Sequence, residues 1–439
     1  MSEPALWMFP ALLTAIFAGV PVAFALMSVA LVFGLWQFGG AAVTLFEHKL
    51  RDISSSHVLA AAPLFIFMGA MLERSGIAER LFEAIHMWTR RLPGGLAVGT
   101  ILMCVVFAAS SGVVGATETV VGMLAVPVML RHRYDKALIS GTICAGGSLG
   151  SIIPPSLLVV FLALIAGLGI GELFVAMLLP GLILAGCYIA YIVVAVALDR
   201  ELAPDLVEDD ELPPLLQRLW FTAVALAPPL MLIVAVLGSI VMAVAVPTEA
   251  AAVGAVGSVV LTLAYRRFSF AVLREAAVKT ISITSMILTI VVGGTMFGGV
   301  FVGAGGQTAL EGLLAAADLG GWGTLLLILM LVFLAGFVMD LLSIMLVLIP
   351  IAMPIITGFG FDAVWFAIAL LMMMHTSSMT PPMAGAIFYF RAIAPPEITL
   401  RHMYRGVIPF IAVHFVVLGL LFAFPGLALW LPSVMLGFE

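Results

Sequence analysis

Charged residues, cysteine and asparagine are scarce in this sequence. Asp, Glu, Lys and Arg make up only 10% of its 439 residues, whereas hydrophobic residues make up 64%. With a mean hydropathy of +1.26, the chain lies far outside the range of soluble globular proteins. Its three cysteines stand singly in apolar runs, so neither a disulfide framework nor a metal site is indicated. Asparagine does not occur at all, so other side chains must fill any binding role.

Motifs of enzymes and ATP-driven pumps are missing as well. No HExxH, CxxC or P-loop occurs, so neither an intramembrane metalloprotease nor an ATP-driven pump is supported. Residues 146–150 match the G-x-S-x-G nucleophile elbow, but they run through apolar sequence straight into Pro154-Pro155. Because that elbow requires a strand-turn-helix in a soluble sheet, we do not expect an enzyme. The net charge of -6 gives nucleic-acid binding no support.

Long apolar runs dominate what is present. Residues 181–198, 219–246 and 407–424 with their flanks each exceed the roughly 20 residues that span a bilayer. Counting all such runs gives about ten to twelve spans and two re-entrant hairpins. The sequence therefore predicts an all-α polytopic membrane protein.

A Pro-Pro pair occurs twice within apolar sequence as part of the same pattern, in residues 146–156 (GGSLGSIIPPS) and 375–385 (HTSSMTPPMAG). Each pair is flanked by further prolines at similar distances, namely Pro127 and Pro180, and Pro350 and Pro409. Adjacent prolines leave carbonyls without intrahelical partners, and such backbone persists at membrane depth only inside protein or beside a wet cavity. Matched interruptions in two halves of a chain indicate a secondary transporter with its site at the repeat interface.

One polar stretch divides the chain into two comparable halves. Residues 199–211 contain seven acids and one arginine, which is typical of an aqueous linker. We therefore predict a first repeat half over residues 1–198, a linker over 199–217 and a second half over 218–439. Each half also has a charged segment, 75–95 and 265–280, whose pattern fits an interfacial amphipathic helix or a solvated loop helix.

Ionisable residues within apolar runs are costly and are therefore candidates for function. Four of them stand out: Glu118, Glu249, Asp340 and His375. Asp340 could instead cap a helix after an interruption. The two glutamates could be helix caps or interhelical hydrogen-bond partners, and His375 could be a satisfied core histidine.

Hydroxyl and glycine residues surround both Pro-Pro pairs. The hydroxyl residues are Ser148, Ser151 and Ser156 in the first region, and Thr376, Ser377, Ser378 and Thr380 in the second. Sodium prefers oxygen ligands, and broken helices supply carbonyls. Half-helix N-termini also favour an anionic solute such as a carboxylate. The alternative is that these small residues only allow close helix packing.

At these residues the chain resembles the large membrane subunit (M, DctM-like) of tripartite ATP-independent periplasmic (TRAP) transporters. The resemblance covers nearly the whole chain. Its most specific parts are GVPVAFAL (19–26), GGSLGSIIPPS (146–156), GFVMDLLSIMLVLIPI (336–351) and TPP (380–382). It implies two inverted repeats with re-entrant helical hairpins and an elevator-type mechanism, in which a transport domain moves against a scaffold. It also implies sodium coupling, a small membrane Q subunit, a periplasmic solute receptor, an organic-acid substrate and the bacterial inner membrane.

The resemblance also suggests individual site residues. One sodium site would use backbone around Gly150, Ile153 and Pro155 with a hydroxyl from Ser110 or Ser111, and the other would use Gly336, Ser377, Thr380 and Met383. The solute would bind between the hairpin tips, near Glu118, Ser148, Ser151, Ser156, Asp340, His375, Thr376 and Ser378. The chain departs from the family at His375, and at residues 385–387, where the family often has an asparagine.

We therefore expect a sodium-coupled, receptor-dependent importer of an organic acid. The alternative is a stand-alone elevator transporter, coupled to sodium or protons, that needs no receptor. A non-transporting structural subunit would leave the matched interruptions unexplained. Since the sequence lacks the extra amino-terminal helices expected of a fused small subunit, we expect the Q subunit to be a separate chain.

Overall fold

The computed structural model describes residues 4–56, 58–112, 115–204, 214–382 and 384–437, without the side chains of residues 58, 110, 111 and 116. These residues form 20 α-helices, and no strand occurs among them. The helices are α1 (Met8–Phe17), α2 (Val22–Phe38), α3 (Ala41–Ser54), α4 (Ala61–Glu73), α5 (Ile77–Thr89), α6 (Gly95–Ser111), α7 (Ala116–Arg131), α8 (Lys136–Ser148), α9 (Leu157–Ala166), α10 (Ile170–Leu198), α11 (Leu215–Val241), α12 (Pro247–Ala264), α13 (Phe270–Gly303), α14 (Gly306–Ala317), α15 (Gly320–Ala335), α16 (Leu341–Gly358), α17 (Ala363–Met379), α18 (Gly385–Arg391), α19 (Leu400–Ala423) and α20 (Gly426–Leu436).

Among the described residues, six helices are long and apolar enough to cross a bilayer: α10, α11, α12, α13, α16 and α19. Helices α4 and α5 meet at 64° and together form a further, bent apolar pair. Several of the remaining helices are shorter but equally apolar, as expected where spans are interrupted. The prediction of an all-α polytopic membrane protein is confirmed.

The two halves of the chain repeat one order of elements. In α6 to α10, a broken helix pair is followed by a hairpin and then by a long helix, and α15 to α19 follow the same order. We call α8 with α9 hairpin 1 and α17 with α18 hairpin 2. A Pro-Pro step joins the arms of each hairpin, and both Pro-Pro bonds are cis. The repeated prolines of the sequence thus correspond to repeated hairpins.

The hairpins lie in the interior of the protein. Every residue of α8 from Leu138 to Ser148 is buried, and α17 is buried along almost its whole length. In α16, 72% of the apolar window is buried, against 33% in α11 and in α12. Helices such as α11 and α12 therefore present apolar side chains to lipid, whereas the hairpins contact mainly protein.

An outer group of helices combines elements from both halves. Helices α2 and α4 pack on α13, and α4 also packs on α12. Two ion pairs strengthen this contact, Lys279 with Glu73 and Arg74 with Glu275, the latter at 3.0 Å. Helix α5 contacts α11, where the indole nitrogen of Trp88 donates a hydrogen bond to Thr222 at 2.8 Å.

The two charged segments of the sequence take different forms. Residues 77–89 make the short helix α5, which buries Leu81 and Ile85 while Trp88 stays exposed. The segment 265–280, in contrast, supplies the first turns of the 34-residue helix α13 and is not a separate helix. Between the halves, α10 ends at Leu198 and α11 begins at Leu215. The acidic residues 205–211 lie outside the described residues.

Candidate functional site

The break between α6 and α7 lies against the Pro-Pro turn of hairpin 1. Gly112 follows α6 with a φ of 60°, a left-handed conformation that glycine adopts without strain. Its carbonyl oxygen accepts a hydrogen bond from the amide of Leu157 at 3.3 Å. A Cβ on Gly112 would lie only 2.8 Å from the carbonyl oxygen of Pro155. The backbones of the break and of the turn are therefore in direct contact.

The other residues of the first predicted sodium site lie in the same turn. Gly150 packs against the buried side chain of Thr117, whose Oγ1 would be 2.8 Å from a Cβ at residue 150. The amide of Ile153 donates to the carbonyl of Leu149 at 2.8 Å. The structure thus brings Gly150, Ile153 and Pro155 together beside the break. The side chains of Ser110 and Ser111, at the end of α6, lie outside those described.

Three buried serines hold the turn of hairpin 1 together. The Ser148 hydroxyl donates to the carbonyl of Ala145 at 2.7 Å, and the Ser156 hydroxyl donates to the carbonyl of Ser151 at 2.7 Å. The hydroxyl oxygen of Ser151 lies 3.1 Å from the carbonyl oxygen of Ser148. The bonds that Ser148 and Ser156 donate satisfy carbonyls at the end of α8 and in the turn that follows it.

Hydroxyl groups also line the end of α17 in hairpin 2. The hydroxyls of Thr376, Ser378 and Thr380 each donate to a carbonyl three or four residues earlier, at 2.8, 2.9 and 2.7 Å. Thr376 is buried, whereas Ser378 and Thr380 are partly exposed. Each hydroxyl donates its proton to the backbone, so its oxygen keeps lone pairs that can accept a hydrogen bond or bind a cation.

The break between α15 and α16 meets hairpin 2 in the same way as the first break meets hairpin 1. The Ser377 hydroxyl donates to the carbonyl of Phe333, near the end of α15, at 2.8 Å. A Cβ on Gly336 would lie 1.7 Å from the Ser377 Oγ, so only glycine fits here. The structure therefore brings Gly336 and Ser377 into contact, one helical turn before Thr380. Met383 lies outside the described residues.

His375 connects the two hairpins. Its Nδ1 lies 2.7 Å from the carbonyl oxygen of Leu371, and its Nε2 lies 2.6 Å from the Ser151 hydroxyl. Because a carbonyl only accepts hydrogen bonds, Nδ1 carries the proton and Nε2 accepts from Ser151. The His375 side chain is only 1% exposed. In this conformation it bridges α17 and hairpin 1 and does not reach the protein surface.

The three candidate acids occupy different environments. Asp340 is exposed and caps α16, where its carboxylate accepts from the amides of Leu342 and Ser343 at 3.1 and 3.2 Å. Glu249 is also exposed and accepts from the amide of Val246 at 3.1 Å. Both acids make the cap contacts that the sequence left open. Glu118, in contrast, is 1% exposed and lies against hairpin 1.

A second polar cluster, which sequence reasoning missed, lies behind hairpin 2. The Nδ1 of His414 on α19 is 3.3 Å from Thr376 Oγ1, and the ring of His414 contacts that of Tyr188 on α10. The Tyr188 hydroxyl is 3.9 Å from the sulfur of Met379. Both His414 and Tyr188 are polar residues in apolar helices, so the rule that singled out His375 could have found them.

The chemistry available at this site is oxygen coordination and hydrogen bonding. Among the described residues, no group of three or more His, Cys, Asp or Glu side chains could hold a metal ion. Ser148 lies at the end of helix α8 and donates to its own helix, unlike a nucleophile elbow, which follows a strand. The arrangement suits a small cation bound by carbonyls and hydroxyls.

Two Pro-Pro hairpins that lie inside a helical membrane protein, each against a broken helix pair, define the permease of a secondary transporter. A family model described as "Tripartite ATP-independent periplasmic transporter, DctM component" matches residues 9–427. The chain belongs to this family of large permease proteins, so the resemblance found in its sequence is confirmed.

Individual relatives and a solved structure agree with this assignment. The chain is 30% identical over 387 residues to the C4-dicarboxylate TRAP transporter large permease protein DctM of Pseudomonas aeruginosa, with 88% of each chain covered. It is 28% identical to the sialic acid TRAP transporter large permease protein SiaM of Vibrio cholerae, over 96% of this chain and 97% of that one. The crystal structure of the Alcanivorax borkumensis YdaH transporter has the same fold, with a TM-score of 0.61, 15% identity and 96% and 98% of the chains covered.

Membership of the family settles several broader questions. The protein is a multi-pass inner-membrane permease for secondary transport and is not an enzyme. Permeases of this family work with a small membrane subunit and a periplasmic receptor.

Proposed function

We propose that this permease imports a carboxylate delivered by a periplasmic receptor, with a sodium gradient as the driving force. The solutes in the names of the two relatives, C4-dicarboxylates and sialic acid, are carboxylic acids, which supports an anionic solute. One observation supports the proposed sodium coupling. Each hairpin contacts a helix break, Gly112 against Pro155 and Gly336 against Ser377.

The first proposed sodium site lies where α6, α8 and the Pro-Pro turn meet. The backbone of Gly150, Ile153 and Pro155 surrounds this point, together with a hydroxyl from Ser110 or Ser111. The 3-10 turn after α8 packs on α6, so two helix C-termini come together here. Helix C-termini carry partial negative charge and unpaired carbonyls, and both favour a bound cation.

The second proposed sodium site lies where α15, α17 and hairpin 2 meet. Its ligands would be the backbone of Gly336, the oxygens of Ser377 and Thr380, and Met383. The proton of the Ser377 hydroxyl points to Phe333, so the lone pairs of its oxygen remain for a cation. The close fit of Gly336 against Ser377 keeps these two proposed ligands next to each other.

The proposed solute site is accessible from the side of hairpin 2. Asp340 is exposed and Ser378 is half-buried, and the exposed ring of Tyr389 lies beside Gly115. The other predicted solute residues are buried in this conformation, namely Glu118, Ser148, Ser151, Ser156, His375 and Thr376. They become solute contacts only if the hairpins move apart.

We also propose an elevator mechanism with inverted repeats. The moving part would contain α6 to α9 and α15 to α18, because these elements enclose both proposed sodium sites. The scaffold would contain α2, α3, α4, α12 and α13. In this group α2, α3 and α4 pack on α13, α4 also packs on α12, and Lys279 of α13 forms an ion pair with Glu73 of α4. The repeated order of elements in the two halves supports this division.

A separate Q subunit and a periplasmic receptor would complete the transporter. The family description, a component of a tripartite periplasmic system, supports both partners. The exposed apolar side chains of α11 to α13 provide a lipid-facing surface. Co-purification of the chain with a small membrane protein and with a receptor would test this assignment.

Sodium binding can be tested without knowing the solute. We expect the melting temperature of the purified chain to be higher in sodium chloride than in potassium chloride. At a sodium concentration of 100 times the dissociation constant, binding should add roughly 2.7 kcal/mol to the free energy of unfolding. Ser377→Ala should lower the response, because it removes a proposed ligand.

Ser433→Ala is the matched control. The Ser433 hydroxyl also donates to a backbone carbonyl at 2.8 Å, but on the exposed helix α20. An equal sodium response in both variants, or no sodium response in the wild type, would contradict the proposal.

A further inference from the structure

Glu118 places a carboxyl group in the interior of the protein, beside hairpin 1. It lies in the first turn of α7, after Gly115, and only 1% of it is exposed. A Cβ built on Gly147 of α8 would lie 2.1 Å from its Cγ and 2.3 Å from its Cδ. The carboxyl therefore fills the space that a side chain at residue 147 would occupy, and it packs directly against hairpin 1.

This carboxyl lacks a counter-charge. Its Oε2 is buried and has no hydrogen-bond partner within the described part of the chain. The backbone groups of Gly115 and of Glu118 itself favour its charged form. Two backbone amides without a cation do not compensate a full negative charge at this depth.

The side chains that face Glu118 from neighbouring helices carry no positive charge. The titratable groups that interact with it are the thiols of Cys104 on α6 and Cys144 on α8, and the phenol of Tyr389 on α18. Helix α5 also packs against α7. Its titratable residues are Glu79, Arg80, Glu83 and His86, and α18, which also packs against α7, ends at the exposed Arg391.

An ionised carboxylate in such surroundings is far more costly than the neutral acid. No group of three or more His, Cys, Asp or Glu side chains in the described residues could hold a metal ion here. We propose that Glu118 is a proton-binding site. The carboxyl holds a proton while α7 packs against α8, and it gives this proton to water only when hairpin 1, which carries Gly147, moves away from α7.

With this site, the permease would bind a proton at Glu118 in addition to the proposed sodium ions. Since the protonated carboxyl fits the packed arrangement and the ionised one requires water, low pH favours the packed arrangement and high pH opposes it. None of the proposed sodium ligands takes part in the contact with Gly147. The proposed proton site therefore does not depend on sodium coupling, and each of the two proposals can be refuted without the other.

Infrared spectroscopy of the full-length purified chain tests the protonation state directly. At about pH 7, where ordinary carboxyl groups are ionised, we expect a carbonyl-stretch band of a protonated carboxyl in the wild type. Glu118→Gln should remove this band. Glu249→Gln, which changes an exposed capping glutamate, should leave it in place. If the wild type has no such band, or if the band survives in Glu118→Gln, the proposal is wrong.

The pH dependence of thermal stability provides a second measurement. Raising the pH from about 5 to about 8 should lower the melting temperature of the wild type by a few degrees, because the unfolded carboxyl releases its proton over this range while the buried one keeps it until higher pH. Gln is neutral and nearly isosteric, so Glu118→Gln should lose this slope, while Glu249→Gln should keep it. Equal slopes in the wild type and Glu118→Gln would overturn the proposal. If Glu118→Gln does not fold, the wild type alone provides the test, because the absence of its infrared band would make the proposal wrong.

Discussion

Gly336 offers the sharpest single test of the second proposed sodium site. Its φ of -66° suits alanine, so Gly336→Ala acts through contact and not through backbone strain. The new methyl carbon would lie 1.7 Å from the Oγ and 2.6 Å from the Cβ of Ser377. Since non-bonded heavy atoms rest at about 3.5 Å or more, the Oγ of Ser377 has to move by roughly 1.8 Å or more.

Two costs follow from that movement. Overpacking a close-packed interior costs about 1 to 3 kcal/mol. Losing the 2.8 Å hydrogen bond from Ser377 to Phe333 costs about 0.5 to 1.5 kcal/mol more. We therefore expect the free energy of unfolding to fall by roughly 1.5 to 4.5 kcal/mol. Sodium affinity should fall about tenfold for each 1.4 kcal/mol lost from the ligand geometry.

Thermal unfolding in sodium and in potassium measures both effects. The control is Gly186→Ala on helix α10, where a Cβ would meet nothing within 4 Å and where alanine should stabilise the helix by up to about 1 kcal/mol. If Gly336→Ala were as stable and as responsive to sodium as Gly186→Ala, the close contact with Ser377 and the site built on it would be refuted.

Two further experiments examine single hydrogen bonds at the hairpins. Thr380→Val removes a hydroxyl that donates to the backbone at 2.7 Å, and we expect the half-saturating sodium concentration to rise about 5- to 150-fold. Thr14→Val, on the exposed surface, should leave that concentration unchanged, and an equal result for both would show that Thr380 only packs. Ser151→Ala and His375→Ala should couple by about 0.5 to 3 kcal/mol in a double-mutant cycle of unfolding, whereas additive effects would mean that their hydrogen bond is energetically neutral.

The sequence predicts the fold well because proline acts locally. Pro154-Pro155 and Pro381-Pro382 each mark the turn of a hairpin, as expected for residues that disfavour a continuing helix, whereas Pro228-Pro229 lies inside helix α11. The long apolar runs likewise become helices, since helices and closed barrels are the structures that satisfy the backbone in lipid. The interruptions could therefore be located without any knowledge of tertiary contacts.

The site itself depends on contacts between distant parts of the chain. The hydrogen bond from Ser151 to His375 spans 224 residues, and no local pattern predicts which two polar groups will meet. The same limit applies to the acids. Glu118 and Asp340 occupy comparable positions in the sequence, yet one lies beside Gly147 in the interior and the other is an exposed cap. Their burial depends on how the hairpins pack, which the sequence does not show.

Uptake into proteoliposomes tests the central claim most directly. The permease, reconstituted with its small subunit, would be supplied with its receptor and the radiolabelled organic acid that this receptor binds. We predict uptake only when an inward sodium gradient and the receptor are both present. Full uptake driven by a proton gradient alone, or uptake without the receptor, would contradict the account.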